Sequence, residues 1–458
     1  MQNDNYPVAV IGDGRITTRV GSRPYPTASI TNVIGLAQIA LAASLPLRAI
    51  WIMPDSDVEA AAEHPHFWIV PNADWNVFST GSMGGYPSAA VVRRNASGPA
   101  RREVTIYSNV AERWAAYDMP GHEALLEDIT AYERAMCVQT QMSPASTAIK
   151  LLIDTNSGCD RAAWISPLSR EAIDSVPWPA NRAPGHCNPR PRNGKYVHVF
   201  DKKSAYMASA VCKVGRGDPV QYCGDTPWGE LVRKEIPGLW RITAHNDHDN
   251  LSLPSPFNTH SDVPDDEWYY TPQVKLALEM GWEVNVHDAW IWHDYHLTLK
   301  DWVQRLWQAR QMTKGTPAEA MIKASFTQSL GVMSRRPGAS EKLQRYHRPD
   351  WVGLLTAQHY LRQVKQIMKL EECCPGYLAV STDSIAWISD EADHVAAMSA
   401  GWMGQEGAMG QYRHIATYGG AQAQSLIGAA REGSKAAKLY KMMEAWDQDD
   451  DISGASGL

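Results

Sequence analysis

Phe200-Asp201-Lys202-Lys203-Ser204-Ala205-Tyr206 is the stretch on which the reading of this chain turns. The run before it, Tyr196 to Phe200, is built of aromatic and β-branched residues and predicts a short strand that delivers Asp201 at its end. A strand-turn-strand pattern follows much later, over Tyr377 to Trp387, with Ser381-Thr382-Asp383 at its tip. Two aspartates carried on separate strands are the minimum set for holding the divalent ions of nucleotidyl transfer. Either one alone reads as a turn or cap residue.

The segments between these aspartates sharpen the pattern. Lys300 to Met312 and Pro317 to Met333 have helical periodicity and are joined by Lys314-Gly315-Thr316, with Thr316 placed to cap the second helix and Pro317 at its first position. An antiparallel helical hairpin is the expectation. A long helix is expected over Trp351 to Leu370, and the tail with Asp447, Asp449, Asp450 and Asp451 is expected to fray.

Three motifs in fixed order now stand out. Asp201, Ser204 and Tyr206 resemble the DxxSLYP motif of family B DNA polymerases; Lys323-Ala324-Ser325-Phe326-Thr327-Gln328-Ser329-Leu330-Gly331 resembles their KxxxNSxYG motif; Ser381-Thr382-Asp383-Ser384 resembles YxDTDS. The chain is most similar to the protein-primed branch found in bacteriophages and linear plasmids, from about Glu123 onward. The fold implied is an α/β exonuclease-like (RNase H-like) N-terminal domain followed by an α+β right-hand polymerase with palm, fingers and reduced thumb. The boundaries expected are 1–165 for the first domain, 166–195 for a linker or template-binding arm, 196–300 for palm with insertion, 301–333 for fingers, 334–400 for palm, and 401–458 for a reduced thumb and acidic tail.

Carried across residue by residue, the resemblance implies that Asp201 and Asp383 hold two Mg2+ ions, with Mn2+ as an alternative, and that the backbone carbonyl of Lys202 assists. It implies that Ser204, Tyr206 and Thr327 face the nucleotide, with Tyr206 under the sugar, where it excludes a 2'-hydroxyl. Lys323 would bind the triphosphate as a point charge. Arg310 and Lys314 are candidates for further phosphate contacts, with a solvated helix face as the equal alternative. Arg182 and Gly185 correspond in position to a template-binding loop, and Lys438-Leu439-Tyr440 to the KxY motif at the primer terminus, for which the segment around Gln424-Ser425-Leu426 is the competing position. Arg335, Arg336 and Arg345, with Lys342, His347 and Arg348, follow the middle motif where the family passes its DNA strands. The implied partners are a DNA template and primer, dNTPs and, if priming is from a protein hydroxyl, a terminal protein.

The departures are as informative. Ser381 stands where the family has its first YxDTDS aspartate, and Ala379 where it has the tyrosine; Thr327, Gln328 and Leu330 replace Asn, Ser and Tyr of the middle motif. In the N-terminal domain Asp13-Gly14-Arg15 puts an arginine where the second exonuclease carboxylate belongs. Asp128 is similar to the last exonuclease aspartate, but Ala124 occupies its tyrosine partner's position, and no second motif is evident. An exonuclease fold without exonuclease chemistry is the expectation. The span from Gly331 to Ser381 is short for the family, and low processivity follows.

Composition limits the alternatives. The 458 residues carry 43 Lys+Arg against 50 Asp+Glu, a formal charge of -7, so any nucleic-acid contact must be made by a local basic cluster. Seven cysteines without CxxC spacing fit reduced thiols in a cytoplasm, that of a bacterium or phage-infected host. The longest apolar run, Ala28 to Leu45, is broken by five polar residues and reads as a buried helix rather than a membrane span. His245 with His248 and His293 with His296 lack a third ligand and read as packed or surface histidines. The rival to a polymerase is a non-catalytic replication or telomere-associated DNA-binding protein on a decayed polymerase fold.

Overall fold

The structure, a computed structural model, describes residues 8–25, 30–42, 47–68, 74–79, 82–83, 86–87, 89–94, 103–116, 121–156, 168–179, 185–246, 252–257, 263, 267–334, 346–397 and 408–455. The chain divides into two compact units. The first is Met1–Cys159 with Gln304–Val332, and the second is Asp160–Val303 with Met333–Leu458.

The first unit is built on a mixed sheet. Its strands are β1 (Val8–Gly12), β2 (Arg15–Thr18), β3 (Gly21–Pro24), β4 (Ala49–Ile52), β5 (Trp75–Ser79), β8 (Ala89–Arg94) and β9 (Glu103–Tyr107), with β6 (Ser82–Met83) and β7 (Tyr86–Pro87) forming a separate ribbon. The sheet order is β3-β2-β1-β4-β9-β8-β5, with β1 parallel to β4 and β4 parallel to β9. The parallel centre explains the composition of β1 and β4: both are buried at every residue, as continuous apolar runs covered on two faces must be. Trp51 of β4 packs against Tyr107 and Trp114, with ring centroids 4.7 and 5.0 Å away. Trp68 ends the short helix Pro65–Trp68 and donates its indole N–H to the Ala62 carbonyl at 2.7 Å.

The helices Lys300–Met312 and Pro317–Ser334 form the expected hairpin, most of it belonging to this unit. The Thr316 hydroxyl donates to the Thr313 carbonyl in the connecting turn. Helix Pro317–Ser334 is seated by polar contacts. The fully buried Ser325 hydroxyl lies 2.8 Å from the Tyr132 hydroxyl, and the Gln328 amide donates to the Arg113 carbonyl at 2.9 Å.

The second unit centres on an antiparallel sheet of β10 (Gly185–Cys187), β11 (Tyr196–Lys202), β18 (Tyr377–Ser381), β19 (Ser384–Ser389) and β20 (Tyr412–Gly419), in the order β10-β18-β19-β11-β20. One face carries Val197, Val199, Leu378, Ala386 and Ile388 against the helices Gly420–Arg431 and Ala436–Ala455. The other carries Phe200, Val380, Ile385 and Tyr412 against Ile367 and Leu370 of the long helix Pro349–Cys373. A second sheet, β13 (Val220–Gln221), β16 (Glu283–Ile291), β14 (Gly238–His245) and β15 (Trp268–Tyr270), packs with the helix Thr271–Glu279, and β12 (Val214–Gly215) pairs with β17 (Tyr295–His296).

Three expectations change here. The stretch 166–195 is more than a linker, because Gly185–Cys187 supplies an edge strand of the main sheet. The stretch 401–458 is not a thumb throughout, because β20 forms the sheet's opposite edge. The acidic tail is helical as far as Ala455, and Asp447 accepts a hydrogen bond from the buried-faced Tyr418 hydroxyl at 3.0 Å, which ties the helix to the sheet.

Candidate active site

The register of the main sheet brings the first and third motifs together. Asp201, near the end of β11, pairs directly with Ser384, the first residue of β19, and the Lys202 amide donates to the Asp383 carbonyl at 3.0 Å. Asp383 occupies the two-residue turn between β18 and β19. Thr382 before it is left-handed at φ 54°, a conformation that a β-branched residue adopts only when its surroundings hold it there.

His359 provides that hold. It sits fully buried on the helix Pro349–Cys373, with Nε2 3.0 Å from the Thr382 carbonyl, so this nitrogen carries the proton and donates. Burial, reinforced by the charges of Lys202 and Arg362, pulls the imidazole pKa down to about 4, against a smaller upward pull from the Thr382 hydrogen bond. The same ring packs on Tyr206, with centroids 5.0 Å apart. One neutral histidine thus spans the residue read as sugar gate and the turn bearing Asp383. Nothing in the motifs singled it out.

Tyr206 lies in the short helix Ala205–Ser209, which begins after the left-handed Ser204 at φ 52°. Burial, then the Asp383 carboxylate, push its hydroxyl up to about 12. Arg362 holds the end of this helix by donating to the carbonyls of Ala208 and Val211 at 2.5 and 3.3 Å. The Lys202 side chain is buried over the Tyr412 ring, and burial, then Arg362, lower its pKa to about 8.

Asp201 is engaged on both oxygens. Oδ1 accepts from the Ser384 hydroxyl at 3.2 Å, and Oδ2 accepts from Nε and Nη2 of Arg413 at 3.3 and 3.2 Å. Arg413 is its direct cross-strand partner on β20. Tyr440 on the helix Ala436–Ala455 presents a buried hydroxyl with no hydrogen-bond partner among the described residues, and its pKa is raised by burial and then by Tyr412, Asp383 and Asp201. Lys438 beside it is exposed.

The donor set fits a hard divalent cation: carboxylates on adjoining strand ends, hydroxyls, and an orphaned phenol within their field. It is lean for two such ions. Among the described residues no group of three His, Cys, Asp or Glu is arranged to hold a metal. Ser381, the departure noted in the motif, pairs across β18 with Ser384 and with Gly185 of β10, so the missing carboxylate falls inside the sheet that carries Asp201.

The remaining sequence candidates are distributed as follows. In the first unit Lys323 and Thr327 are exposed one turn apart, and the Thr327 hydroxyl donates back to the Lys323 carbonyl. Arg310 is half-buried and paired with Glu319 at 2.9 Å, while Lys314 is exposed in the turn. Arg182, Arg335, Arg336, Lys342 and Arg345 lie outside the described residues. His347 and Arg348 are buried at 2% exposure; Arg348 pairs with the fully buried Asp350 and donates to the Gly215 carbonyl at 2.7 Å, a structural clamp rather than part of a DNA-facing cluster. In the N-terminal sheet the Asp13 amide donates to Asp57 at 2.9 Å, Arg15 begins β2, and Asp128 lies on the helix His122–Met136. Asp57, which follows β4, is a carboxylate that the motif reading passed over.

Comparison with solved structures bears on the fold. Phi29 DNA polymerase in an orthorhombic crystal form matches with a TM-score of 0.58 at 13% identity, over 91% of this chain and 85% of that one. The same polymerase with primer-template DNA, and with primer-template DNA and incoming nucleotides, matches at 0.56 and 0.55 with 12% identity. The chain has a DNA polymerase fold. No family profile and no curated protein matches the sequence. No helix among the described residues is long and apolar enough to cross a membrane.

Proposed function

We propose that this chain is a template-directed DNA polymerase that adds deoxynucleotides by two-metal nucleotidyl transfer, without proofreading. The observation that carries the reading is the junction of Asp201 and Asp383 through the β11–β19 pairing and the Lys202 amide bond. Asp201, Asp383 and the Lys202 carbonyl would hold the ions, which supply charge neutralisation for the attacking hydroxyl and the leaving pyrophosphate. The chain's own residues do the rest. Tyr206, braced by His359, sets the floor of the sugar site, and Lys438 and Tyr440 hold the primer end; the motif resemblance assigns the triphosphate to Lys323 and Thr327.

The strand order β3-β2-β1-β4-β9, with its parallel centre, supports an RNase H-like N-terminal domain. Arg15 stands where a carboxylate is needed, so the domain acts as scaffold. DNA template, primer and dNTPs are the proposed partners, with a terminal protein if the primer is a protein hydroxyl, in a bacterial or phage-infected cytoplasm.

One observation favours a second reading, a non-catalytic DNA-binding protein on this fold: Ser381 removes a carboxylate and Arg413 occupies one of those that remain. Primer extension with Mg2+ and dNTPs separates the two. Asp383→Asn keeps the side chain's size and removes the charge that holds the ion, so incorporation is expected to disappear while folding and DNA binding, measured at one fixed salt concentration, persist. Incorporation that survives in Asp383→Asn removes this residue from the mechanism. No incorporation by the wild type with any primer, DNA binding intact, establishes the second reading.

A further inference from the structure

We propose that Arg413 is a resident cation that competes with the divalent ion for Asp201, so that loading the site requires this guanidinium to swing away. The inference rests on the metal-site reading above. Its basis is the sheet register: Arg413 faces Asp201 directly across β20 and β11, and places Nε and Nη2 side-on to Oδ2 at 3.3 and 3.2 Å.

Charge explains why such a cation belongs here. With Ser381 in place of a carboxylate, Asp201 and Asp383 are the two aspartates that the motifs assign to the ion, and one of them is already neutralised. A divalent ion drawn to Asp201 meets a guanidinium on the same oxygen, and the two positive charges repel at short range. Exposure explains how the site can still load. The Arg413 side chain is 64% exposed and Asp201 24%, so the arginine can leave for solvent, whereas a buried pair such as Arg348 with Asp350 is locked. Ser384 on Oδ1 keeps the carboxylate oriented while Oδ2 changes partner.

The test is Mn2+ binding to the full chain, followed by the loss of the free-ion electron paramagnetic resonance signal, with no substrate present. Arg413→Gln retains a donor for Asp201 without the charge and is expected to bind Mn2+ about three- to tenfold more tightly than wild type, the scale set by removing one solvent-exposed like charge. Arg413→Lys retains the charge and is expected to stay within about twofold of wild type. Asp383→Asn serves as the control for the site itself and is expected to weaken binding. If Asp383→Asn weakens binding but Arg413→Gln binds Mn2+ no more tightly than wild type, the competition is refuted and the metal-site reading stands. If Asp383→Asn binds as wild type does, the metal site is misassigned and the role of Arg413 falls with it.

Discussion

His359 makes the acid stability of this fold a quantitative matter. Its imidazole titrates at about 4 in the folded chain against an ordinary value of 6.5, because burial and two nearby cations oppose the charged form. The sign follows from proton counting. Between those two values the unfolded chain binds a proton that the folded chain refuses, so stability falls as pH drops from 6.5 towards 4 and is unaffected by this group above that window. The full difference is worth about 3 kcal/mol, of which about 2 kcal/mol is lost between pH 7 and pH 5. His359→Gln is the informative substitution. The glutamine amide nitrogen reaches where Nε2 sits, preserves the donor to the Thr382 carbonyl, and cannot titrate. Urea unfolding of wild type and variant at pH 7 and pH 5 is expected to show a wild-type loss larger than the variant's by about 2 kcal/mol, with every other titrating group cancelling in the comparison. Parallel losses in the two proteins would mean that His359 is not held neutral, and the brace between Tyr206 and the Asp383 turn would have to be abandoned.

Other expectations follow from the same geometry. Tyr206→Ala removes the ring packed on His359 and is expected to admit ribonucleotides; single-nucleotide incorporation of rNTPs against dNTPs checks it, and an unchanged preference would exclude Tyr206 as the sugar gate. Lys202→Met should stabilise the chain by about 1 to 2 kcal/mol at pH 7, since a lysine whose pKa is lowered to about 8 pays for burial of its charge and the lost stacking on Tyr412 offsets only part of the gain. That advantage should shrink as pH rises from 8 to 10.5, where the wild-type side chain is already neutral when folded but not when unfolded; thermal melts at pH 7 and pH 9.5 read it directly. Purified protein is expected to leave single-stranded DNA intact at its 3' end, and degradation that Asp13→Ala abolishes would restore an active exonuclease site.

How far the sequence could be read depends on the range over which each feature is encoded. The elements that carry Asp201, Tyr206 and Asp383 were legible because their signals are local: a strand-forming run ending in Asp, a Ser-Ala-Tyr helix start, and a polar tip between two apolar strands. The helical hairpin was legible for the same reason, through Gly315 and Pro317. The strands β5 to β8 were not, because short strands such as Trp75–Ser79 carry weak patterns against loop alternatives; the helix Pro144–Thr155 was passed over although its Ser143-Pro144 start is the same kind of signal as Thr316-Pro317.

Side-chain partners are a different matter from elements. Ser325 lies within the middle motif, yet its hydroxyl donates to the Met321 carbonyl and meets that of Tyr132, 193 residues earlier in sequence, a pairing with no local signature. Arg413 lies 212 residues from Asp201 and outside every motif. Its position follows from the register of β20 on β11, in which Tyr412 packs beside Phe200 on one sheet face and, past the shift at Val199/Phe200, Tyr418 packs beside Val197 and Val199 on the other, leaving Arg413 exposed beside Asp201. A one-residue slip of that strand would turn Arg413 away from the carboxylate and put Tyr412 or His414 in its place. The aspartate was therefore readable from seven consecutive residues, whereas its counter-ion was fixed only by the packing of a sheet edge, and the net charge at the candidate metal site depends on both.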